Sequence, residues 1–168
     1  IGAVALTSAI KQLQDIGMEN VANHAAELTS YFLQNLQKIP QITIYGCADP
    51  VQVQNRTGVV TFNIDKIPHA LVAAILGYEH GIAVRSGCFC AHPYVLELLQ
   101  ISAKRISEIK EEIANPNKTA MPGMVRVSFG LYNTKKEVNI LLDALNKIAA
   151  GDFANYIQDV PSGEYIPR

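Results

Sequence analysis

The segment 81–93 constrains this chain more than any other part of its sequence, because reactive side chains directly follow a predicted strand. It reads Gly-Ile-Ala-Val-Arg-Ser-Gly-Cys-Phe-Cys-Ala-His-Pro. The apolar residues at 82–84 are typical of a short strand, and Arg85 and Gly87 lead from it into a loop that holds two cysteines and a histidine. Loops that a rigid scaffold positions often carry the function of a protein. We therefore expect the chemistry of this chain in this loop.

The length and composition indicate one domain with a substantial core. The chain has 168 residues, 49% hydrophobic and 17% charged, which argues against disorder. The formal net charge of -1 gives no electrostatic reason to expect a nucleic acid or an anionic membrane as a partner. The longest near-apolar run, at 71–77, is far shorter than the roughly 20 residues of a membrane span. Three cysteines, an odd number, do not make a disulfide framework and favour a cytoplasmic location.

Helix and strand patterns mix along the chain. Short strands are predicted at 42–45, 58–64, 82–86 and 124–129, with two helices before the first strand and one helix after the last. A capping box formed by Thr134 and Glu137 predicts where that last helix begins. Because no strand has the long apolar run of a buried parallel sheet, we predict an α+β, two-layer fold. Its small, mostly antiparallel sheet has helices packed on one face.

Two parts of the chain are predicted to lie on the surface. Residues 100–122 are interpreted as an insertion, which contains a charged helix at 102–114 and the start of a linker with two prolines at 115–123. The tail, residues 151–168, shows no periodicity and is predicted to be extended. The main domain is therefore expected at 16–150.

Two arginines near the loop that holds Cys88 and Cys90 are candidates for binding an anion. Strand alternation puts Val125 and Val127 on one face of the fourth strand and Arg126 on the other. A guanidinium keeps its charge and is costly to bury alone, so Arg126 needs a carboxylate, a phosphate or water. An internal salt bridge or a solvated face is the alternative to a bidentate clamp for a ligand's carboxylate. Arg85 leaves a neighbouring strand near the same loop, which favours an anion site.

Cys90 is the candidate nucleophile, because nearby arginines favour the thiolate form that attacks. Cys88 and His92 are candidate contributors from the same loop. The Cys-x-Cys-x-His run suggests metal binding as an alternative function of the loop. Three alternate residues on one loop rarely complete a zinc site, so we predict no metal. An isolated cysteine is usually a small buried hydrophobe, an interpretation that fits Cys47. A thiol redox or binding module that uses Cys88 and Cys90 is a further alternative.

Two longer motifs carry a family resemblance. The first is Gly-Ile-Ala-Val-Arg-Ser-Gly at 81–87 with Cys-Ala-His-Pro at 90–93; the second is Arg-Val-Ser-Phe at 126–129 with Tyr-Asn-Thr at 132–134. In this order they resemble the catalytic-cysteine loop and the late arginine strand of the class V aminotransferase family, in its cysteine desulfurase and selenocysteine lyase branch. The resemblance covers nearly the whole chain but only the C-terminal part of a family member. It implies the small C-terminal domain of a fold-type I pyridoxal-phosphate-dependent transferase.

The resemblance also implies roles for single residues. Cys90 matches the nucleophile that takes sulfur from cysteine bound to pyridoxal phosphate, giving a persulfide and alanine. Arg126 matches the arginine that binds the substrate's carboxylate, and Arg85 matches an arginine near the cysteine loop. Residues 1–15 would connect to a missing N-terminal large domain that carries the lysine for the cofactor, so the excised chain is expected to be inactive alone. The full-length enzyme is expected to be a homodimer that acts on cysteine or selenocysteine.

The chain departs from the family pattern in two places. Members of this branch often have two histidines where Cys88 and Phe89 stand. The insertion at 102–122 is also longer than in well-known desulfurases. A class V aminotransferase of other specificity, in which Cys90 is incidental, is therefore the alternative enzyme.

Overall fold

A four-stranded sheet forms the centre of the computed structural model, which describes residues 1–54, 56–113, 118–119 and 121–168. In chain order the strands are β1 Ile42–Tyr45, β2 Val59–Ile64, β3 Arg85–Gly87 and β4 Met124–Ser128. They lie in the sheet in the order β1-β2-β4-β3, and every neighbouring pair is antiparallel. This architecture confirms the predicted α+β class.

In chain order the helices are α1 Gly2–Ile16, α2 Met18–Leu36, α3 His69–His80, α4 His92–Leu98, α5 Ala103–Ile113 and α6 Lys135–Ala149. Helices α2, α3 and α6 cover one face of the sheet and form the main core with it. Helix α1 lies outside this core, with the apolar side chains of Val4 and Leu6 exposed. None of the helices in the described part of the chain combines the length and hydropathy that a bilayer-spanning segment needs.

The alternation along β2 decides which face of the sheet is buried. Val60 and Phe62 are fully buried against the helices, whereas the residues between them are only partly buried. Phe32 of α2 meets Phe62 edge-on at 6.5 Å between ring centroids and Phe129 at 5.4 Å. Each such large side chain stabilises the fold by about 1.5–3 kcal/mol through its burial. These helices therefore cover one face of the sheet and leave the opposite face uncovered by them.

The capping box of α6 forms as the sequence predicts. Glu137 N donates to Thr134 Oγ1 over 3.4 Å, and Thr134 N donates to Glu137 Oε2 over 2.7 Å. The hydrogen bonds from Thr134 lower the pKa of the Glu137 carboxyl. This cap places the turn before α6 directly after the strand that carries Arg126.

The third strand is shorter than predicted and begins at Arg85 rather than at residue 82. Gly81 ends α3 in the left-handed conformation with φ 64°, and Ile82 N donates to Leu76 O over 2.8 Å. Residues 82–84 thus continue from the end of a helix, and Ile82 and Val84 pack against the core without joining the ladder. The apolar pattern that predicts a strand here reflects burial alone.

The tail forms a hairpin that the sequence does not predict. β5 Tyr156–Gln158 pairs antiparallel with β6 Tyr165–Pro167, and each strand has only three residues. Three residues are too few to show the alternation of apolar and polar side chains by which a strand is recognised in a sequence. Residues 114–117 and 120 of the predicted insertion and linker lie outside the described residues. The roles assigned to 1–15 and 16–150 as connecting helix and small domain stay predictions.

Candidate active site

The face of the sheet turned away from α2, α3 and α6 carries the candidate site. Side chains alternate between the two faces of a strand, so residues in register across the ladder share a face. We call this side the open face. Its strand residues are Thr43, Tyr45, Val59, Thr61, Asn63, Arg85, Gly87, Met124, Arg126 and Ser128.

Two guanidinium groups start from facing positions on the open face. Arg85 of β3 lies opposite Arg126 of β4 in the antiparallel register. Like charges directly opposite each other destabilise a sheet, so this pair is unfavourable for folding alone. Among the described residues, neither arginine has a carboxylate within ion-pair distance, and the buried Arg126 Nε has no hydrogen-bond partner. The arrangement suits an anion that comes from outside the described residues.

An aromatic ring joins Arg126 to the cysteine loop. The Cζ atom of Arg126 lies 5.2 Å from the centroid of the Phe89 ring, within the range of a cation–π interaction. Phe89 directly precedes Cys90 in the chain. The structure therefore pairs Arg126 with Arg85 across the ladder and with the residue next to Cys90, and an anion site beside the thiol stays a prediction.

The backbone of the cysteine loop is strained where the candidate nucleophile lies. Phe89 and Cys90 have φ values of 54° and 60°, in the left-handed region that favours glycine. Such a conformation costs about 1–3 kcal/mol for each residue and persists only where the surroundings impose it. The Cys90 side chain is exposed and open to a reagent.

Cys88 differs from Cys90 although only one residue separates them. It is buried at 9% exposure, and its Sγ–H donates to the carbonyl of Pro122 over 3.3 Å. Burial raises the pKa of the Cys88 thiol. Cys88 is therefore an anchor for the loop and a poor nucleophile. Cys47, which the sequence interprets as a buried hydrophobe, is exposed, and that interpretation is wrong.

Residues 121–123, the end of the linker predicted at 115–123, lead into β4 and are held by side chains from α3, β2 and the cysteine loop. His69 Nε2 lies 3.1 Å from Met121 O, and Asn63 Nδ2 donates to Gly123 O over 3.1 Å. Cys88 holds the carbonyl between them. Burial lowers the pKa of the His69 imidazole, so its neutral form donates this bond. The sequence analysis missed His69 and Asn63, because hydrogen bonds to backbone carbonyls far along the chain leave no motif.

His92 lines a cavity that Arg126 does not line. It begins α4, is exposed, and lines a cavity of about 600 Å³ together with Cys88. Most of this cavity's wall is apolar, with Leu96 and Ile109 from α4 and α5. Within the described residues no three His, Cys, Asp or Glu side chains converge as a metal site. The structure thus groups His92 with Cys88, and it groups Arg126 with Phe89.

Comparison with known proteins decides the family. The model of the aminotransferase class-V family matches residues 1–141. This chain belongs to the class V aminotransferase family. It is 35% identical over 146 residues to a probable cysteine desulfurase of Halalkalibacterium halodurans, covering 87% of this chain and 29% of that protein. It is 32% identical over 147 residues to a cysteine desulfurase of Escherichia coli, covering 88% of this chain and 29% of that protein.

A solved structure shares this class V fold. The apo cysteine desulfurase of Thermococcus onnurineus superposes with a TM-score of 0.70 at 28% identity, over 89% of this chain and 31% of that one. The class V chain thus spans about 30% of the length of the relatives it matches. It is a cysteine-desulfurase-like region of a class V aminotransferase.

Full-length class V aminotransferases use pyridoxal phosphate, so we ask whether the side chains of the open face could hold this cofactor. The strand residues of this face include two arginines and no lysine in the described part of the chain. Two cations on one sheet face, one of them in contact with the loop that carries Cys90, fit the carboxylate of an amino-acid substrate. They do not fit covalent attachment of the cofactor, so no step through the cofactor is derived from these residues.

Proposed function

We propose that this chain supplies the nucleophile and the carboxylate clamp of a cysteine desulfurase or selenocysteine lyase. The single observation that carries the proposal is the contact of Arg126 with Phe89, the neighbour of Cys90, on a sheet face where Arg85 lies opposite. A desulfurase needs an anion-binding group and a reactive thiol within reach of one small amino acid. The relatives named as cysteine desulfurases support this choice of reaction.

Arg126 binds the carboxylate of the substrate in this proposal. A guanidinium offers parallel N–H donors that match the two oxygens of a carboxylate. Arg85 adds a second positive charge from the facing strand position and draws the anion to the open face. Because neither arginine is neutralised by a carboxylate of the described residues, both charges are available to the substrate.

Cys90 takes the sulfur. Its thiolate forms a bond to the sulfur atom of the bound cysteine, the bond between that sulfur and its carbon breaks, and the carbon receives a proton. The products are alanine and a persulfide on Cys90, so atoms and electrons balance without an added oxidant or reductant. Pyridoxal phosphate, when bound, acts as the electron sink for this substrate chemistry. The exposed position of Cys90 lets the persulfide reach a sulfur acceptor.

The rest of the enzyme is part of the same proposal. The relatives are about three times as long as their matched segment, and their remaining length would supply the cofactor site. We therefore expect cysteine turnover from the full-length protein, as a homodimer with pyridoxal phosphate, and none from these 168 residues alone.

The full-length protein with Cys90→Ser tests the proposal. We expect alanine formation from cysteine to be lost, because serine cannot hold a persulfide, whereas Cys47→Ser keeps full activity as the matched control. Alanine formation that survives Cys90→Ser would reject the desulfurase assignment. Transfer of an amino group from other amino acids, unchanged in Cys90→Ser, would show instead a class V aminotransferase in which Cys90 is incidental.

A further inference from the structure

Phe89 links the two halves of the candidate site. Its ring contacts the guanidinium of Arg126, and its backbone continues directly into Cys90. Both loop residues have positive φ, so the loop needs contacts that hold it in this conformation. The ring packs beside a small buried cluster formed by Cys88, Val95 and Met124.

We infer that Phe89 is a positioning residue for the reaction, because its ring holds the Arg126 guanidinium beside the loop that carries Cys90. This inference rests on the proposed function and deepens it. It assigns a role to a phenyl ring that can neither donate nor accept a proton.

The charge distribution explains why a ring is suited to this role. Arg126 faces the like charge of Arg85, which pushes the two guanidinium groups apart. Arg126 Nε is excluded from solvent and has no hydrogen-bond partner among the described residues, so no hydrogen bond at this atom fixes the head group. The negative face of an aromatic ring attracts a cation without neutralising it. Arg126 therefore keeps its charge for a ligand.

A guanidinium can contact a ring and a carboxylate at once. Its flat face stacks on an aromatic ring, whereas a carboxylate accepts hydrogen bonds from the N–H groups in the plane. Phe89 and a substrate carboxylate can thus contact Arg126 at the same time. Loss of the ring removes the contact that keeps Arg126 beside Cys90 and one of the contacts that hold the strained loop.

Alkylation of Cys90 tests this inference without any turnover. Iodoacetate carries a carboxylate and iodoacetamide does not, so the ratio of their rates at Cys90 reports the positive charge near the thiol. In the full-length protein, with the Cys90 peptide followed by mass spectrometry, we expect Phe89→Leu to lower this ratio several-fold. Phe89→Tyr, which keeps the ring, should retain it, and Tyr94→Leu, an exposed aromatic residue of α4, serves as the matched control.

A double-mutant cycle shows whether Phe89 acts through Arg126. In the Arg126→Gln background, Phe89→Leu is expected to leave the alkylation ratio unchanged. With Arg126 present, Phe89→Leu should raise the KM for cysteine roughly 5- to 30-fold, the range expected for loss of a cation–π contact. Phe89→Tyr, which keeps the ring, should have the KM of the wild type. Phe89→Met, of similar volume, replaces the leucine variant if circular dichroism shows that the latter does not fold.

The outcomes separate this inference from the proposed function. Equal alkylation ratios in the wild type and the ring-free variant overturn the positioning role, whether or not the protein desulfurises cysteine. The same loss of ratio with and without Arg126 also overturns it, because Phe89 would then act on the loop alone. If Cys90→Ser still forms alanine while the ratio falls as expected, the proposed reaction fails and the placement of Arg126 by Phe89 stands.

Discussion

Arg85 of the short edge strand β3 lies directly opposite Arg126 of the neighbouring strand β4, which puts two positive charges on one face of the sheet. Like charges directly opposite each other in a ladder oppose folding. The sheet tolerates it because β2, β4 and the helices on the other face bury a large apolar core. A pair that costs stability and lies beside a strained, exposed cysteine is typical of a functional site.

Neutralising Arg85 should therefore stabilise the protein while it weakens function. We expect Arg85→Gln to raise the free energy of unfolding by about 0.2–1 kcal/mol, the range for cross-strand pairs. Urea unfolding measures this change, and high salt should shrink it, because salt screens repulsion between partly exposed charges. Cysteine turnover by the full-length protein should fall in the same variant. A loss of stability in Arg85→Gln would show that the two charges do not repel in the folded sheet.

Arg126 should matter more for binding the substrate than for folding. Replacement by glutamine removes charge-assisted hydrogen bonds worth about 1.5–3 kcal/mol, so the KM for cysteine should rise roughly 10- to 100-fold. Arg126→Lys should have a KM between those of the wild type and Arg126→Gln, because lysine keeps the charge but lacks the bidentate fork. Steady-state kinetics of the full-length protein measure both variants, with Arg168→Gln, an exposed arginine after β6, as the surface control. An unchanged KM in Arg126→Gln would remove the carboxylate clamp.

Gly123 should tolerate no side chain. A Cβ atom there would lie 2.6 Å from Gly87 Cα and 2.6 Å from His69 Nε2. We expect Gly123→Ala to destabilise the protein by about 1–3 kcal/mol, as overpacking does. Gly77→Ala in α3 is the matched control, because nothing lies within 4 Å of its Cβ and alanine favours a helix by up to about 1 kcal/mol. Thermal unfolding distinguishes them, and equal effects would mean that the linker moves easily.

The protein should lose stability as the pH falls through the range of histidine, in part because of His69. Burial lowers its pKa from the usual 6.5, so the unfolded chain takes up a proton that the folded chain excludes. The contribution of neutral His69 is therefore complete above pH 6.5 and is lost as the pH falls. His69→Gln keeps a donor for Met121 O and should flatten this dependence, as measured by urea unfolding at roughly pH 5 and pH 7.5. His80→Gln is the control, and an equally steep dependence in His69→Gln would contradict the assignment.

Local signals in the sequence predict a long central strand and a helix cap better than they predict where short strands begin and end. β2 shows alternating burial over six residues, and the Thr134 cap depends only on residues three apart, so both follow from the sequence. Residues 82–84 mislead because apolar side chains mark burial in a loop as well as in a strand. β5 and β6 escape notice because three residues each give no period to recognise.

The candidate site divides in the same way. Alternation predicts that Arg126 faces away from the core, and the structure agrees. The different environments of Cys88 and Cys90, and the contact between Phe89 and Arg126, depend on how a loop folds against residues more than thirty positions away. No pattern in a single sequence reports such distant contacts.

The position of the transferred sulfur tests the central claim most directly. The full-length protein is incubated with cysteine, its free thiols are blocked, and peptide mass spectrometry locates any added sulfur atom. We predict a persulfide on the Cys90 peptide that is lost in Cys90→Ser and reduced in Arg126→Gln. Alanine formed while sulfur is found only on Cys88 or Cys47, or on no cysteine of this chain, would contradict the assignment of Cys90 as the sulfur-accepting residue.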